Sequence, residues 1–181
     1  MKKGFTLVEV LTTALILFIV LSAGAGLFAS TIKVQRYIVG SQQIMNETSY
    51  ALEYMSRAIR MAQKNEDSAC GWVGPDEAYK IFSDRGVMFA GYKDGECIYF
   101  YLDLNDSRLK VWKQSWGTSI PLTSNKFQIT TLIFREEGDT PGGDGLQPRI
   151  NVLLEAEALN LSPSPKITIQ TTISQRNLDI E

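Results

Sequence analysis

The chain of 181 residues contains no histidine. That removes the commonest general base and the commonest zinc ligand, so neither a Ser-His-Asp nor a Cys-His site can be built from it. Cysteine is scarce, with only Cys70 and Cys97. Proline is absent before Pro75, so nothing of that kind interrupts a helix in the first part of the chain. Charge is absent over the 23 residues from Val10 to Ile32. The formal net charge is -2, which supplies no general basic field for nucleic acid.

What is present begins with MKKGFTLVEVLTTALILFIVLSAGAGLFAS. At 1.5 Å per residue the uncharged run reaches about 35 Å as a helix, enough to cross a bilayer. Lys2 and Lys3 precede it, which places the N-terminus in the cytoplasm and everything after Lys33 outside. A plain membrane anchor would look like this. So would a secretory signal, with Ala23-Gly24-Ala25 as a small-residue cut site. Glu9 suits neither, since an ionised carboxylate in hydrocarbon costs roughly 3 kcal/mol on insertion scales.

KGFTLVE followed by an uncharged run resembles the class III signal of type IV prepilins and type II secretion pseudopilins. The matching residues are Gly4 at the cut, Phe5 as the new first residue, Thr6 beside it and Glu9 four residues on. The resemblance implies that a membrane prepilin peptidase cleaves between Gly4 and Phe5 and that the new amine of Phe5 is N-methylated. It implies that the apolar helix stays with the mature protein. Loss of Lys2 and Lys3 takes the basic count from 18 to 16 against 20 acids, a side-chain balance of -4. In such filaments the carboxylate at the position of Glu9 is thought to pair with the Phe5 amine of a neighbouring subunit. Desolvation offsets much of that attraction, so the pair acts chiefly as a register device. The alternative is a Glu9 that snorkels unpaired to the headgroups.

Ile44, Thr48, Leu52, Met55, Ile59 and Ala62 recur at spacings of three and four, a single buried stripe. Gln43, Glu47, Tyr50, Glu53, Arg57, Arg60 and Lys64 lie off it. The pattern predicts one helix from Phe5 to Lys64, weakened locally by Gly24 and Gly26 and again at Gly40. Gly24 and Gly26 mark either a segment that stretches on assembly or a close helix contact. The predicted organisation is a leader over 1–4, a transmembrane or filament-core helix over 5–32, an amphipathic half over 33–64, and an exported globular β-rich domain over 65–181.

Beyond Ile81 the period changes to two. ECIYFYLDL sets Ile98, Phe100 and Leu102 on one face and Tyr99 and Tyr101 on the other; NDS supplies a turn and RLKVWKQSW a return strand. VMFAGY, KFQITTLIFR, RINVLLEAEA and KITIQTTIS read as further strands. Short spacings without intervening helices argue for an antiparallel sheet, whose apolar face the amphipathic half of the helix can cover. The predicted class is α+β: a long N-terminal helix packed on a C-terminal antiparallel sheet of five to seven strands, as in pilins.

The loop REEGDTPGGDGLQPR clusters Glu136, Glu137, Asp139 and Asp144. Its spacing matches no ligand template, so no metal or cofactor is expected, calcium at Asp139 and Asp144 being the one candidate. Arg108 in DLNDSRL stands where a calcium loop wants glycine, so that stretch reads as a hairpin turn. Cys70 and Cys97 fall in the exported part, where two cysteines usually pair; two buried thiols are the alternative. Trp72, Trp112 and Trp116 with their neighbouring tyrosines suit core or subunit contacts better than a ligand surface.

SYALEYMSRAIRMAQ resembles the helix end of J-type minor pseudopilins and W-type minor pilins, and the presence of Glu9 argues against a K-type tip subunit. The resemblance implies a minor, initiating or tip-proximal subunit of a type IV pilus or secretion pseudopilus. A major pilin is the alternative, and a DNA-capturing competence pilin a further one, with Lys110, Lys113 and Lys126 as its candidate basic patch. The implied partners are the prepilin peptidase, other pilin or pseudopilin subunits and an inner-membrane assembly platform. The implied location is a single-pass inner-membrane protein that later enters an extracellular or periplasmic filament. No catalytic constellation is visible, so no enzyme is expected.

Overall fold

The computed structural model describes residues 4–65, 70–75, 77–92, 95–138 and 146–176. It divides into two compact units, Met1–Val39 and Gly40–Glu181. One helix, α1 (Leu7–Arg60, 54 residues), contributes to both. Eight strands follow among the described residues: β1 (Tyr79–Phe82), β2 (Gly86–Ala90), β3 (Cys97–Asp103), β4 (Arg108–Lys113), β5 (Ser119–Pro121), β6 (Phe127–Glu137), β7 (Arg149–Ala158) and β8 (Lys166–Ser174). The class is α+β, a long N-terminal helix packed on antiparallel sheets.

Among its described residues the first unit is helix from Leu7 onward. Its apolar side chains, Leu11, Leu15, Phe18, Ile19 and Phe28 among them, are exposed in the isolated chain. No proline enters α1, and the helix runs unbroken through Gly24 and Gly26, where an added Cβ would meet nothing within 4 Å. Among the described residues these two glycines therefore make room for no close contact.

In the second unit the stripe lies where its spacing predicts. Ile44, Thr48, Leu52, Met55 and Ile59 are buried along α1, with Ala51 beside them and Ala62 just past the helix end. The single hydroxyl on that stripe is satisfied locally: Thr48 Oγ1 donates to the Ile44 carbonyl at 2.6 Å. Tyr54 meets Phe100 edge to face at 6.0 Å, linking the helix to β3. Glu47 accepts from the Ser124 amide at 3.1 Å and tethers the approach to β6. A methyl on Gly40 would fall 2.5 Å from Leu161 Cδ1, so glycine there permits a close approach to the loop after β7.

The helix stops at Arg60, earlier than the predicted Lys64. Its period continues, but tertiary partners take the terminal carbonyls. Tyr79 Oη donates to the Ile59 carbonyl at 2.9 Å, the Arg176 amide to Arg60 at 2.9 Å, and Gln175 Nε2 to Ala62 at 2.8 Å. Gln63 then leaves the helix to bridge Ala90, its amide 3.0 Å from that carbonyl. At the other end α1 begins at Leu7 rather than Phe5, for a reason given below.

The expected single sheet is two. One has the order β1-β2-β3-β4-β5 and the other β6-β7-β8, every pair antiparallel. Alternation within a strand reports which side chains share a face and not which strands are neighbours, so the division was not legible. β6 meets the first sheet through turns instead of a ladder: its Phe134 amide donates to Asp84 at 2.7 Å and its Ile129 amide to Ser107 at 2.8 Å. The core fills the space between α1 and both sheets, with Phe89, Phe100, Phe127, Phe134 and Leu154 fully buried.

β2 is buried at all five positions, so both of its faces are covered. Val87 and Phe89 face the main core. Met88 and Ala90 join Cys70, Val73 and Cys97 in a second small cluster on the opposite face. Gly86 leaves room for the Tyr99 ring, whose hydroxyl lies 2.5 Å from where a Cβ would stand.

Candidate functional site

The start of α1 is a capping box. Thr6 is the N-cap and Glu9 occupies the third helical position, the T-x-x-E spacing of that motif. The Glu9 amide donates to Thr6 Oγ1 at 3.3 Å, and the Thr6 amide donates to Glu9 Oε2 at 3.4 Å. The Thr6 hydroxyl adds a 3.5 Å bond to the same carboxylate oxygen. Two amides that a helix start leaves without partners are thereby satisfied. The helix dipole also favours a negative charge in this first turn. Thr6 was missed as a partner of Glu9 at the sequence level, although the motif TLVE contains the signal.

Gly4 and Phe5 precede the cap. Phe5 is 79% exposed, and nothing lies within 4 Å of a Cβ built on Gly4. The Gly4–Phe5 bond is thus uncovered by other parts of the described chain. The structure brings no ammonium or guanidinium to Glu9 among the described residues; Lys2 and Lys3 lie outside them. Among the described residues the carboxylate is held by Thr6, and it stays exposed.

α1 is long and apolar enough to cross a membrane, and its most apolar stretch is not buried inside the protein. Hydroxyls on this stretch turn back to the helix. Thr13 Oγ1 donates to the Glu9 carbonyl at 2.9 Å, Ser22 Oγ to Phe18 at 2.7 Å and Thr31 Oγ1 to Leu27 at 2.9 Å. Each polar side chain is satisfied within its own helix, as an apolar solvent requires.

The remaining predicted candidates lie in the second unit or outside the described residues. Asp139 and Asp144 are among the latter. Glu137 is committed elsewhere: it accepts from Arg149 Nε at 2.7 Å and Asn151 Nδ2 at 3.0 Å. No group of three or more acidic, cysteine or histidine side chains fit for a metal occurs among the described residues. Cys70 and Cys97 form a disulfide, with their Cα atoms 5.1 Å apart. Asn65, 2% exposed, organises the loop beside it. It accepts from the Cys70 amide at 3.1 Å and donates to the Cys70 and Val73 carbonyls at 3.0 and 2.7 Å.

The three candidate basic residues do not act as free cations alike. Lys110 lies between two carboxylates, 2.6 Å from Asp103 and 2.7 Å from Asp106. Lys113 stands over the Trp116 ring at 4.6 Å and the Tyr54 ring at 5.8 Å, a cation–π arrangement. Among the tryptophans, Trp112 packs against the disulfide cluster, whereas Trp72 and Trp116 are exposed.

Lys110 holds the carboxyls of Asp103 and Asp106 below their ordinary values through its hydrogen bonds, and its own ammonium is raised in return. Carboxyls depressed by folding add stability above their unfolded pKa. That stability is lost as pH falls through the folded value, hence below about pH 4. In Lys110→Met the Asp103 carboxyl should titrate at higher pH, short of its ordinary value because Asn105 still donates to it at 2.9 Å. Carboxyl-carbon NMR across an acid titration reads this directly, and an unmoved Asp103 midpoint would discount the Lys110 contact.

The fold and the capped helix start define an α+β protein with one N-terminal helix able to span a membrane. No protein-family model, curated protein or solved structure matches the chain.

Proposed function

We propose that this chain is a structural subunit of a type IV pilus or type II secretion pseudopilus, a minor subunit near the initiating end or tip. It would be assembled through its N-terminal helix after cleavage between Gly4 and Phe5. The observation that carries this reading is the conjunction of KGFTLVE with the two characters of α1. An uncovered Gly4–Phe5 bond and a capped Glu9 lead into an apolar stretch exposed in the isolated chain. The same helix then becomes a half-buried stripe on a β-rich unit. A helix that served only as an anchor gains nothing from Glu9. A removable signal would have no reason to continue as the spine of the folded unit.

Cleavage supplies the cation that the described chain does not place beside Glu9. The amine of Phe5, methylated or not, remains protonated near neutral pH. Thr6 holds the carboxylate of the free subunit locally, and an incoming amine from a neighbour would replace or share that contact. An unpaired Glu9 in hydrocarbon is disfavoured, so only the stagger that brings the amine to it is relieved of the penalty.

Intact-mass analysis of the mature protein tests the reading. The expected species starts at Phe5 and carries one added methyl. A chain starting at Gly26 would establish ordinary signal cleavage, and one starting at Met1 a plain anchor; either defeats the proposal.

A further inference from the structure

We propose that Asn105, at the tip of the β3–β4 hairpin, is a glycosylation site. Its side-chain nitrogen accepts a glycan from a donor in which the glycan is carried on a polyprenyl pyrophosphate. The proposal rests on the reading that places the β-rich unit outside the membrane, where asparagine acceptors are surface features of exported chains.

The acceptor pattern is asparagine, any residue but proline, then serine or threonine. The chain contains it three times: Asn46-Glu47-Thr48, Asn105-Asp106-Ser107 and Asn160-Leu161-Ser162. A transferring enzyme must hold the hydroxyl residue and reach the asparagine nitrogen at once. The stretch therefore has to be uncovered and has to lift without dragging the core. On that criterion the three stretches differ.

Asn46 lies within α1, and its hydroxyl residue is out of reach. Thr48 is fully buried, and its Oγ1 already donates to the Ile44 and Met45 carbonyls at 2.6 and 3.2 Å. Asn160 is exposed, but Leu161 beside it packs on the main core, close against Gly40. Pro163 follows Ser162 and restricts its backbone. Lifting that stretch would pull Leu161 away from the core.

Asn105 meets neither obstacle. Residues 104–107 form the turn between β3 and β4, with Leu104 65% exposed and Asn105 exposed beside it. The Ser107 hydroxyl makes no hydrogen bond among the described residues, so an enzyme can read it. The Ser107 carbonyl meanwhile accepts from the Ile129 amide at 2.8 Å and anchors the base of the turn to β6. The tip is shaped from within. Asp103 Oδ1 accepts from the Asn105 amide at 2.9 Å and from Asn105 Nδ2 at 3.0 Å. Freeing the nucleophilic nitrogen therefore exchanges one exposed hydrogen bond and disturbs no core side chain.

In the transfer, Asn105 Nδ2 attacks the anomeric carbon of the donor. A carbon–nitrogen bond forms, the carbon–oxygen bond to the pyrophosphate breaks, and the polyprenyl pyrophosphate leaves with that electron pair. One Nδ2 proton passes to a base of the transferring enzyme. Nothing is oxidised or reduced.

The test uses the full-length protein isolated from the cells that make it. Peptide mass spectrometry should find a glycan on Asn105 and none on Asn46 or Asn160. Release by a peptide N-glycosidase in heavy-oxygen water should convert Asn105 alone to labelled aspartate. Asn105→Gln should abolish the modification, Ser107→Ala should lower its occupancy by about tenfold or more, and Ser107→Thr should retain it. Unchanged hydrogen exchange in β7 would report that these turn variants still fold. A glycan that survives Asn105→Gln would overturn the inference. Protease treatment of cells stripped to the inner membrane, run in parallel, separates two failures. A bare Asn105 in a unit open to the protease overturns the inference and leaves the exported placement standing. A unit shielded from the protease overturns that placement and the inference with it.

Discussion

Glu9→Ala should insert in the membrane and fold normally, yet drop at least tenfold out of sedimentable filaments. Among the described residues the side-chain hydrogen bonds of Glu9 run to Thr6 in its own helix start, so the change acts on that start. Two interactions are removed together: the charge, and the acceptor for the Thr6 amide. The second loss is the smaller, because Thr6 Oγ1 still accepts from the amide of residue 9, and should stay below the roughly 1 kcal/mol typical of replacing an N-cap residue. Glu9→Gln separates them, because its side-chain oxygen can still accept from Thr6 while its charge is gone. If filament register depends on a charge pair with a neighbour's amine, the glutamine variant should fail as badly as the alanine variant. Normal incorporation of Glu9→Gln, measured by pelleting sheared filaments, would reduce the role of Glu9 to capping and remove the pairing mechanism.

Removal of the Cys70–Cys97 bridge is expected to produce the largest loss of stability in the second unit. The two residues are 27 apart in sequence, and closing a loop of that size is worth about 3–4 kcal/mol in the chain-entropy model. For a unit of this size that corresponds to roughly 10–15 °C in Tm. The bridge also holds Cys70 and Val73, whose carbonyls accept from Asn65 and which pack with Met88 and Ala90, so the cost is not entropy alone. A Cys70→Ala, Cys97→Ala double variant should melt earlier and show faster hydrogen exchange in β2 than in β7. Identical melting of oxidised protein and double variant would assign the stability to the surrounding packing.

Much of this was legible in residue order because it depends on neighbours along the chain. The apolar run free of charge and the periodic stripe from Ile44 to Ile59 are local features that a helix presents in a fixed way; the T-x-x-E spacing was equally local but went unread. Alternation in β3 placed Ile98, Phe100 and Leu102 inward, as found. β5 was missed because three residues carry no period. The helix end was misplaced because Tyr79, Gln175 and Arg176, distant in sequence, determine where its carbonyls find partners.

The sequence by itself determined that the chain has one long helix of two characters, an acid near the start of its apolar half, and a β-rich remainder. Those properties follow from periodicity and from the cost of placing charge in hydrocarbon. Only the tertiary structure decided that the strands divide into two sheets and that Lys110 is committed to two aspartates. Each of these is a pairing between distant residues, and pairing depends on which surfaces remain uncovered once the others have packed.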